Sequence, residues 1–205
     1  MRRRMRSLAA IALLLAMPVA WGSEGEAVVW TNQFAAVAGT PAGKLVPTRV
    51  SFRDAQFSLA FDGADKRPYR LVRVVAGAPI ALLDDRGGGL PLPAGRLDLF
   101  MDPAAPCAAM GVLGDCKRLG VGVQAGRNAV HWKFRKGNRK GPGGTDHGEM
   151  WLDAETGFLL AYEGRTLGGQ VVQWQVDQIR YVSQDESLYE LPEVPRASGR
   201  GGSKR

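Results

Sequence analysis

The stretch from Gly148 to Leu191 constrains the fold most, because apolar alternation, turn chemistry and strand-forming residues agree along its length. Residues 149–152 and 158–162 flank the turn Asp153–Gly157, in which Asp opens the turn and Gly supplies the positive φ that closes a hairpin. Residues 171–182, which follow a pair of glycines, are rich in β-branched and aromatic side chains. The stretch therefore predicts three consecutive antiparallel strands.

The last of these strands carries five apolar side chains that alternate imperfectly: Val172, Trp174, Val176, Ile179 and Tyr181. The first three share one face, whereas the last two have the opposite parity. A β-bulge near residues 177–178 would bring all five to one face and bend the strand. We therefore expect a mainly β protein built on a strongly curved antiparallel sheet.

The preceding part of the chain predicts further strands. A β-meander is predicted from four apolar segments separated by Asp-, Gly- and Ala-containing turns: residues 45–52, 56–61, 69–75 and 78–83. A hairpin is predicted from residues 119–124 and 129–134, with Val130, Trp132 and Phe134 facing the core. Residues 27–31 fit either an opening strand or the start of a short helix.

The middle of the chain is less regular. Residues 87–95 contain four glycines and two prolines and predict a loop. Residues 96–101 fit a strand or the approach to a helix, and Asp102-Pro103 is a typical helix start, so a short helix is expected over 103–112. A long, basic, glycine-rich loop is expected over 135–146.

The two ends of the chain predict an exported protein. Residues 1–22 have an arginine-rich start, an apolar run too short for a membrane anchor, and small residues near Gly22, as in a cleaved signal peptide. Residues 23–195 are then expected to form one domain, and residues 196–205 a disordered basic tail. We expect a periplasmic, monomeric protein with no membrane-spanning segment.

The formal charge of +7 does not indicate a polyanion-binding body. Four of the 27 basic residues lie in residues 1–22 and four lie in 196–205, which leaves 19 basic against 20 acidic residues between them. Nucleic acid is therefore not an expected partner, because such binding rests on a basic surface.

The two cysteines, Cys107 and Cys116, are expected to pair, since export leads to an oxidising compartment. Their spacing is not that of a redox pair, and no histidine or second cysteine pair lies near them for a metal site. No metal, cofactor or cysteine nucleophile is therefore expected.

Several motifs resemble those of exported LolA-like proteins, which include families related to outer-membrane lipoprotein sorting. They fall mainly in the C-terminal half of the chain: Cys116-Lys-Arg-Leu-Gly120, Ala125-Gly-Arg127, Val130-His-Trp132, Met150-Trp-Leu-Asp153, Thr156-Gly157 and Ser187-Leu-Tyr-Glu-Leu-Pro192. The resemblance implies a LolA/LolB-like half-barrel with one or two short helices. It also implies an apolar concave face that holds a lipid, a lipoprotein acyl chain or a hydrophobic peptide.

Two sets of residues are candidates for binding. The apolar set would line the concave face: Trp132, Trp151, Trp174, Val172 and Val176. The basic set would suit an anionic partner, or would simply keep a hairpin tip soluble: Lys133, Arg135, Lys136, Arg139 and Lys140. The tryptophans are equally compatible with a plain core.

Two classes of function remain open. The first is a non-enzymatic periplasmic module that binds a lipid, a lipoprotein or an envelope protein, with or without a lipid ligand. The second is a metal-dependent hydrolase centred on Asp146, His147 and Glu149. Adjacent residues seldom converge on one metal ion, and the chain has no Gly-x-Ser-x-Gly motif, so we favour the first class.

The cysteine analysis gives a direct test. We expect thiol labelling of the denatured, unreduced protein to find no free thiol, because the two cysteines have no other partner. Prior reduction is the control and should release two thiols. Two labelled thiols without reduction would contradict the pairing.

Overall fold

The computed structural model describes residues 23–74, 80–84, 89–92, 97–110 and 114–191. In these ranges eleven antiparallel strands form one open sheet, in the spatial order β6-β5-β4-β3-β2-β1-β11-β10-β9-β8-β7. The strands are β1 (Glu24–Thr31), β2 (Val46–Arg53), β3 (Gln56–Asp62), β4 (Pro68–Arg73), β5 (Ile80–Leu83), β6 (Gly89–Leu92), β7 (Asp115–Gln124), β8 (Arg127–Arg135), β9 (His147–Asp153), β10 (Leu159–Arg165) and β11 (Val171–Arg180).

The predicted mainly β, antiparallel architecture is confirmed. The helical content of the described residues consists of three short 3-10 helices: Pro106–Met110, Pro142–Gly144 and Glu186–Tyr189. None of the helices in this part of the chain is long and apolar enough to cross a membrane. The predicted signal peptide (1–22) and tail (196–205) lie outside the described residues.

The sheet consists of two meanders, β1–β6 and β7–β11, which are joined where β1 pairs with β11. Val28 lies opposite Gln178 whereas Val29 lies opposite Val176, so Asp177 is an extra residue in the ladder. This is the predicted β-bulge, and Ile179 packs against the same apolar core as Val176 because of it. The bulge also bends the strand at the centre of the sheet.

The core lies on one face of the sheet, beneath two connecting segments. In residues 32–44, Phe34 stacks on Phe61 with 5.4 Å between ring centroids. Residues 97–110, which we call the crossing belt, follow β6 at one edge of the sheet and lead to β7 at the other. In the belt, Leu99 is buried and accepts a hydrogen bond from the Leu159 amide at 2.8 Å. The belt therefore closes the apolar face.

The irregular middle of the chain required three corrections. Residues 87–95, predicted to be a loop, contain β6, which pairs with β5. A proline and glycines are tolerated there because β6 is an edge strand. In the described residues 97–101 there is no strand beyond a single bridge from Phe100 to Phe158, since this segment packs as part of the belt. The described part of the helix expected over 103–112 contains a short 3-10 helix at Pro106–Met110. Residues 27–31 belong to strand β1.

The loop expected over 135–146 is a compact turn packed on the sheet. The Gly137 amide donates to the Asp146 carbonyl at 2.7 Å, and the Thr145 hydroxyl donates to the Pro142 carbonyl at 2.6 Å. A Cβ at Gly141 would lie 2.7 Å from the Phe134 ring. The base of the turn is therefore buried, while the basic side chains at its tip remain exposed.

Cys107 and Cys116 form a disulfide with a Cα–Cα distance of 5.7 Å, as predicted. It connects the crossing belt to the first residues of β7. Such a bond fits an oxidising compartment.

One buried carboxylate connects three strands of the second meander. The Asp153 side chain is 1% exposed and accepts hydrogen bonds from the amides of Glu155 and Thr156, at 2.9 and 3.2 Å. It also accepts from Arg127 Nε at 2.8 Å and from the Tyr181 hydroxyl at 3.0 Å. These partners come from the β9–β10 turn, the start of β8 and the chain after β11, so Asp153 fixes that end of the meander.

The protonation of Asp153 follows from this environment. Burial alone would raise the pKa of the carboxyl, but the hydrogen bonds from Arg127, the two turn amides and Tyr181 outweigh burial and lower it. A pKa below the unfolded value of about 3.9 contributes stability at higher pH. That contribution is lost as the pH falls through the folded-state pKa.

We predict that Asp153→Asn lowers the free energy of unfolding by about 2 kcal/mol or more at pH 7, because it leaves Arg127 without its buried partner. Glu155→Gln is the matched control, because Glu155 also bonds to Arg127 but its side chain is 80% exposed. The control should change stability by less than about 1 kcal/mol. Urea denaturation at pH 7 and at a pH below the folded-state pKa of Asp153 should show the difference between the variants shrinking at the lower pH. Equal effects of both substitutions would contradict this account.

Candidate binding surfaces

Three of the five predicted ligand residues lie in the closed core. Val172, Trp174 and Val176 are 5%, 1% and 2% exposed. The indole N–H of Trp174 donates to the carbonyl of Leu159 at 2.9 Å. The Trp174 side chain is thus packed and hydrogen-bonded, although the residue also borders the trough described below.

The other two predicted residues lie on opposite faces of the sheet. Trp132 pairs with Met150 and shares the core face near the edge of the sheet, where its buried indole N–H has no hydrogen-bond partner among the described residues. Trp151 pairs with His131 and Ala161 on the other face. The five residues therefore do not form one site.

The face that carries Trp151 is the concave one. Gln124 on β7 and Gln175 on β11 both project from it, and their side-chain amides lie 3.5 Å apart. These strands are four positions apart in the sheet, which would separate them by roughly 19 Å if the sheet were flat. The second meander must therefore curl toward Trp151. The expectation that the apolar face is the concave face is wrong for this half of the sheet.

The curl forms an open trough of about 1010 Å³. Strands β8 to β11 and the turn after β8 supply most of its lining: Lys133, Arg135, Lys136, Asp146, His147, Glu149, Trp151, Ala161, Glu163, Arg165, Gln173 and Gln175. Three members of the predicted basic set (Lys133, Arg135 and Lys136) belong to this lining. Arg139 and Lys140 do not.

Trp151 is one of the aromatic residues that line the trough. Its ring stacks on the His131 ring with 4.0 Å between centroids and an interplanar angle of 8°. A Cβ added at Gly122 would lie 3.0 Å from the indole, so the glycine at this position makes room for Trp151. Sequence reasoning missed His131 and Gly122 as partners of Trp151. The alternation of glycines with apolar residues in β7 was the available signal.

Some of the charged groups of the trough are held by neighbouring side chains. Glu149 accepts from His131 at 3.1 Å and lies 3.6 Å from the Lys133 ammonium. The carboxylate of Glu163 accepts from the Gln173 amide at 2.9 Å. The lining thus combines both charges, two primary amides and four aromatic residues, which are Phe134, Trp151, Tyr162 and Trp174.

The proposed metal triad is not assembled in the described part of the chain. His147 lies 3.4 Å from Asp146, but the Glu149 carboxylate contacts His131 and Lys133 instead. Within the described residues, no group of three or more His, Cys, Asp or Glu side chains is arranged to hold a metal ion.

An apolar row lies uncovered along the edge strand β7. Leu119, Val121 and Val123 are 42%, 69% and 67% exposed. Because β7 is at the end of the sheet, the main-chain groups on its outer side face no neighbouring strand. The sequence predicted the strand but not its edge position, which depends on the long-range strand order.

The fold is similar to that of several solved structures. MucB matches with 18% identity and a TM-score of 0.50, over 83% of this chain and 58% of that chain. MucB in complex with MucA(peri) gives a TM-score of 0.49, with 18% identity over 84% of this chain and 56% of that chain. This chain therefore spans little more than half the length of MucB.

Two further structures show the range of the similarity. An uncharacterized conserved protein from Thermus thermophilus matches with 12% identity and a TM-score of 0.51, over 86% of this chain and 88% of that chain. The LolA superfamily protein NE2245 from Nitrosomonas europaea matches with 8% identity and a TM-score of 0.38, over 82% and 90%. The structures similar to this chain thus include a LolA superfamily protein. No protein-family model and no curated protein matches the chain.

The different environments of two tryptophans can be tested by stability. We predict that Trp174→Ala lowers the free energy of unfolding by roughly 3–5 kcal/mol, because it leaves a cavity in a packed core. Trp151→Ala should cost about 1–2 kcal/mol, since its ring lies at an open surface. Urea denaturation of both variants provides the comparison. A small loss for Trp174→Ala would mean that the core face is open to ligands.

Proposed function

We propose that this protein is a non-enzymatic binding module of the bacterial cell envelope, and that the trough on the concave face holds an extended segment of a partner protein. The observation that carries the proposal is the chemistry of the trough. It is large and open, and it places Trp151 beside charged and amide side chains, several of which are held by ion pairs or hydrogen bonds. This arrangement is suited to recognition, because these groups are already oriented before a ligand arrives.

A polypeptide suits this lining better than an acyl chain. The amide side chains of Gln173 and Gln175 can donate to and accept from peptide groups, and Trp151 offers apolar contact to a side chain. An acyl chain in the same place would remove Lys133 and Glu163 from water without offering them hydrogen bonds. The charged side chains of the lining therefore favour a polypeptide over an acyl chain in the trough.

The edge strand β7 supports the same conclusion. It carries Gln124 and Gly122 at the lip of the trough and exposes Val121 and Val123 on its other face. Unpaired main-chain groups beside an apolar row are a known template for adding an extended peptide. A partner segment could then contact both the trough and the strand edge.

The envelope location rests on independent features. The disulfide between Cys107 and Cys116 suits an oxidising compartment. The arginine-rich, apolar start of the sequence resembles a signal peptide. MucB, whose fold is similar, has been solved with MucA(peri) bound. These points support an exported module with a protein partner.

The proposal can be tested with peptides selected for binding to the wild-type protein from a random display library. We expect Trp151→Ala and Gln173→Ala to weaken binding of these peptides about tenfold or more, which corresponds to about 1.4 kcal/mol. Fluorescence anisotropy of the labelled peptides would measure the dissociation constants. Trp30→Ala is the matched control, because Trp30 is 42% exposed on the same face but lies outside the trough.

An oleate titration of the same variants distinguishes the lipid alternative. One outcome would favour acyl-chain binding over protein binding. In that outcome the wild type binds oleate saturably, Trp151→Ala abolishes oleate binding, and Trp151→Ala leaves peptide binding unchanged. Equal peptide affinity in all variants would remove the trough as the site. Thermal unfolding of each variant should first show that the fold is intact.

A further inference from the structure

A second groove lies on the same face of the sheet, over the first meander. It has a volume of about 520 Å³ and runs between the strands and the C-terminal segment that contains Gln184 and Leu188. Three arginines line it, Arg49, Arg70 and Arg180. We call it the arginine groove, and it is separate from the trough.

Strand register places two of these arginines on either side of a small residue. Arg49 on β2 and Arg70 on β4 are both directly opposite Ala60 on β3. Their Cα atoms are thus roughly 10 Å apart. Because the methyl group between them is small, the two guanidinium groups can approach one ligand from opposite sides.

Two hydroxyl groups lie beside this pair. Ser51 and Ser58 are directly opposite each other on β2 and β3, two residues along the strands from Arg49 and Ala60, and both line the groove. Ser58 is 4% exposed, so its hydroxyl lies at the floor. Each hydroxyl can donate one hydrogen bond to an oxygen above it.

The positive charge of the groove is only partly compensated. Arg180 forms an ion pair with Glu26 at 2.5 Å. Arg70 donates to the main-chain carbonyl of Glu190 at 3.1 Å, which occupies one of its N–H groups but leaves its charge. Within the described residues the Arg49 side chain has no ion pair or hydrogen bond. Two guanidinium charges therefore face the groove without a carboxylate.

We propose that the arginine groove binds a phosphate monoester, with Arg49 and Arg70 holding the phosphoryl oxygens from two sides and Ser51 and Ser58 donating from the floor. Guanidinium groups match phosphate geometry and form charge-assisted hydrogen bonds with it. Two positive charges balance the dianion. The neighbouring wall, which includes Leu188, would contact the carbon portion of the ester.

Inorganic phosphate is the first probe. We expect saturable amide-resonance shifts in the ¹⁵N–¹H spectrum at low salt, and dissociation constants weakened about tenfold or more by Arg49→Gln and by Arg70→Gln. Arg49→Lys should restore part of the affinity, since it keeps the positive charge but not the bidentate hydrogen-bonding geometry of the guanidinium group. Arg118→Gln, on exposed β7, is the matched control and should leave the affinity unchanged. Equal affinity in Arg49→Gln and Arg118→Gln, or no saturable phosphate binding, would overturn the proposal.

Two further probes identify the source of the phosphate. Glycerol 3-phosphate represents a soluble ester, and phosphatidylcholine vesicles with and without phosphatidic acid represent a lipid headgroup. Sedimentation with the phosphatidic acid vesicles that depends on Arg49 would support the proposal with a headgroup as ligand. Binding of glycerol 3-phosphate without vesicle binding would support it with a soluble ester. If Arg49→Gln leaves vesicle binding unchanged, the lipid headgroup is not a ligand of the arginine groove. This test is independent of peptide binding in the trough.

Discussion

The pairing of β1 with β11 is the constraint on which the rest of the structure depends, because it alone joins the two meanders into one sheet. Side-chain hydrogen bonds stabilise both ends of the β1–β11 pairing, which we call the seam. The Asn32 amide donates to the Val171 carbonyl and its oxygen accepts from the Gln173 amide. At the other end, Glu24 accepts from the Gln184 amide and from Arg53. The seam also places the trough and the arginine groove on one continuous face.

Much of the fold could be predicted from the sequence because alternation and turn chemistry are local. Ile179 and Val176 are both apolar but three residues apart, which predicted the bulge at Asp177. The Asp153–Gly157 turn predicted the hairpin of β9 and β10. Other features depend on distant partners. The strand at Gly89–Leu92 is stabilised by pairing with β5 rather than by its own composition, so its glycine and proline content was misleading.

The binding surfaces were less predictable for a physical reason. The sequence placed Trp151 and Trp174 in one predicted set, because alternation does not show which face of the sheet curls inward. The curl becomes evident only from a contact between Gln124 and Gln175. Similarly, Arg49 and Arg70 belong to no motif in the sequence and become neighbours across Ala60 only through strand register. Sites that are assembled by register remain invisible until the strand order is known.

The crossing belt imposes an order of events on folding. Because β6 and β7 are consecutive in the chain but lie at opposite edges of the sheet, the first meander keeps its apolar face uncovered until residues 97–110 are laid across it. The disulfide spans a sequence separation of only 9, so it can close as soon as β7 exists and can anchor the second meander before its last strand arrives. The pairing of β1 with β11 joins residues that are far apart in the chain. A chain with such distant partners folds slowly and exposes strand edges while it does so, which makes the interval before closure the period of greatest risk of aggregation.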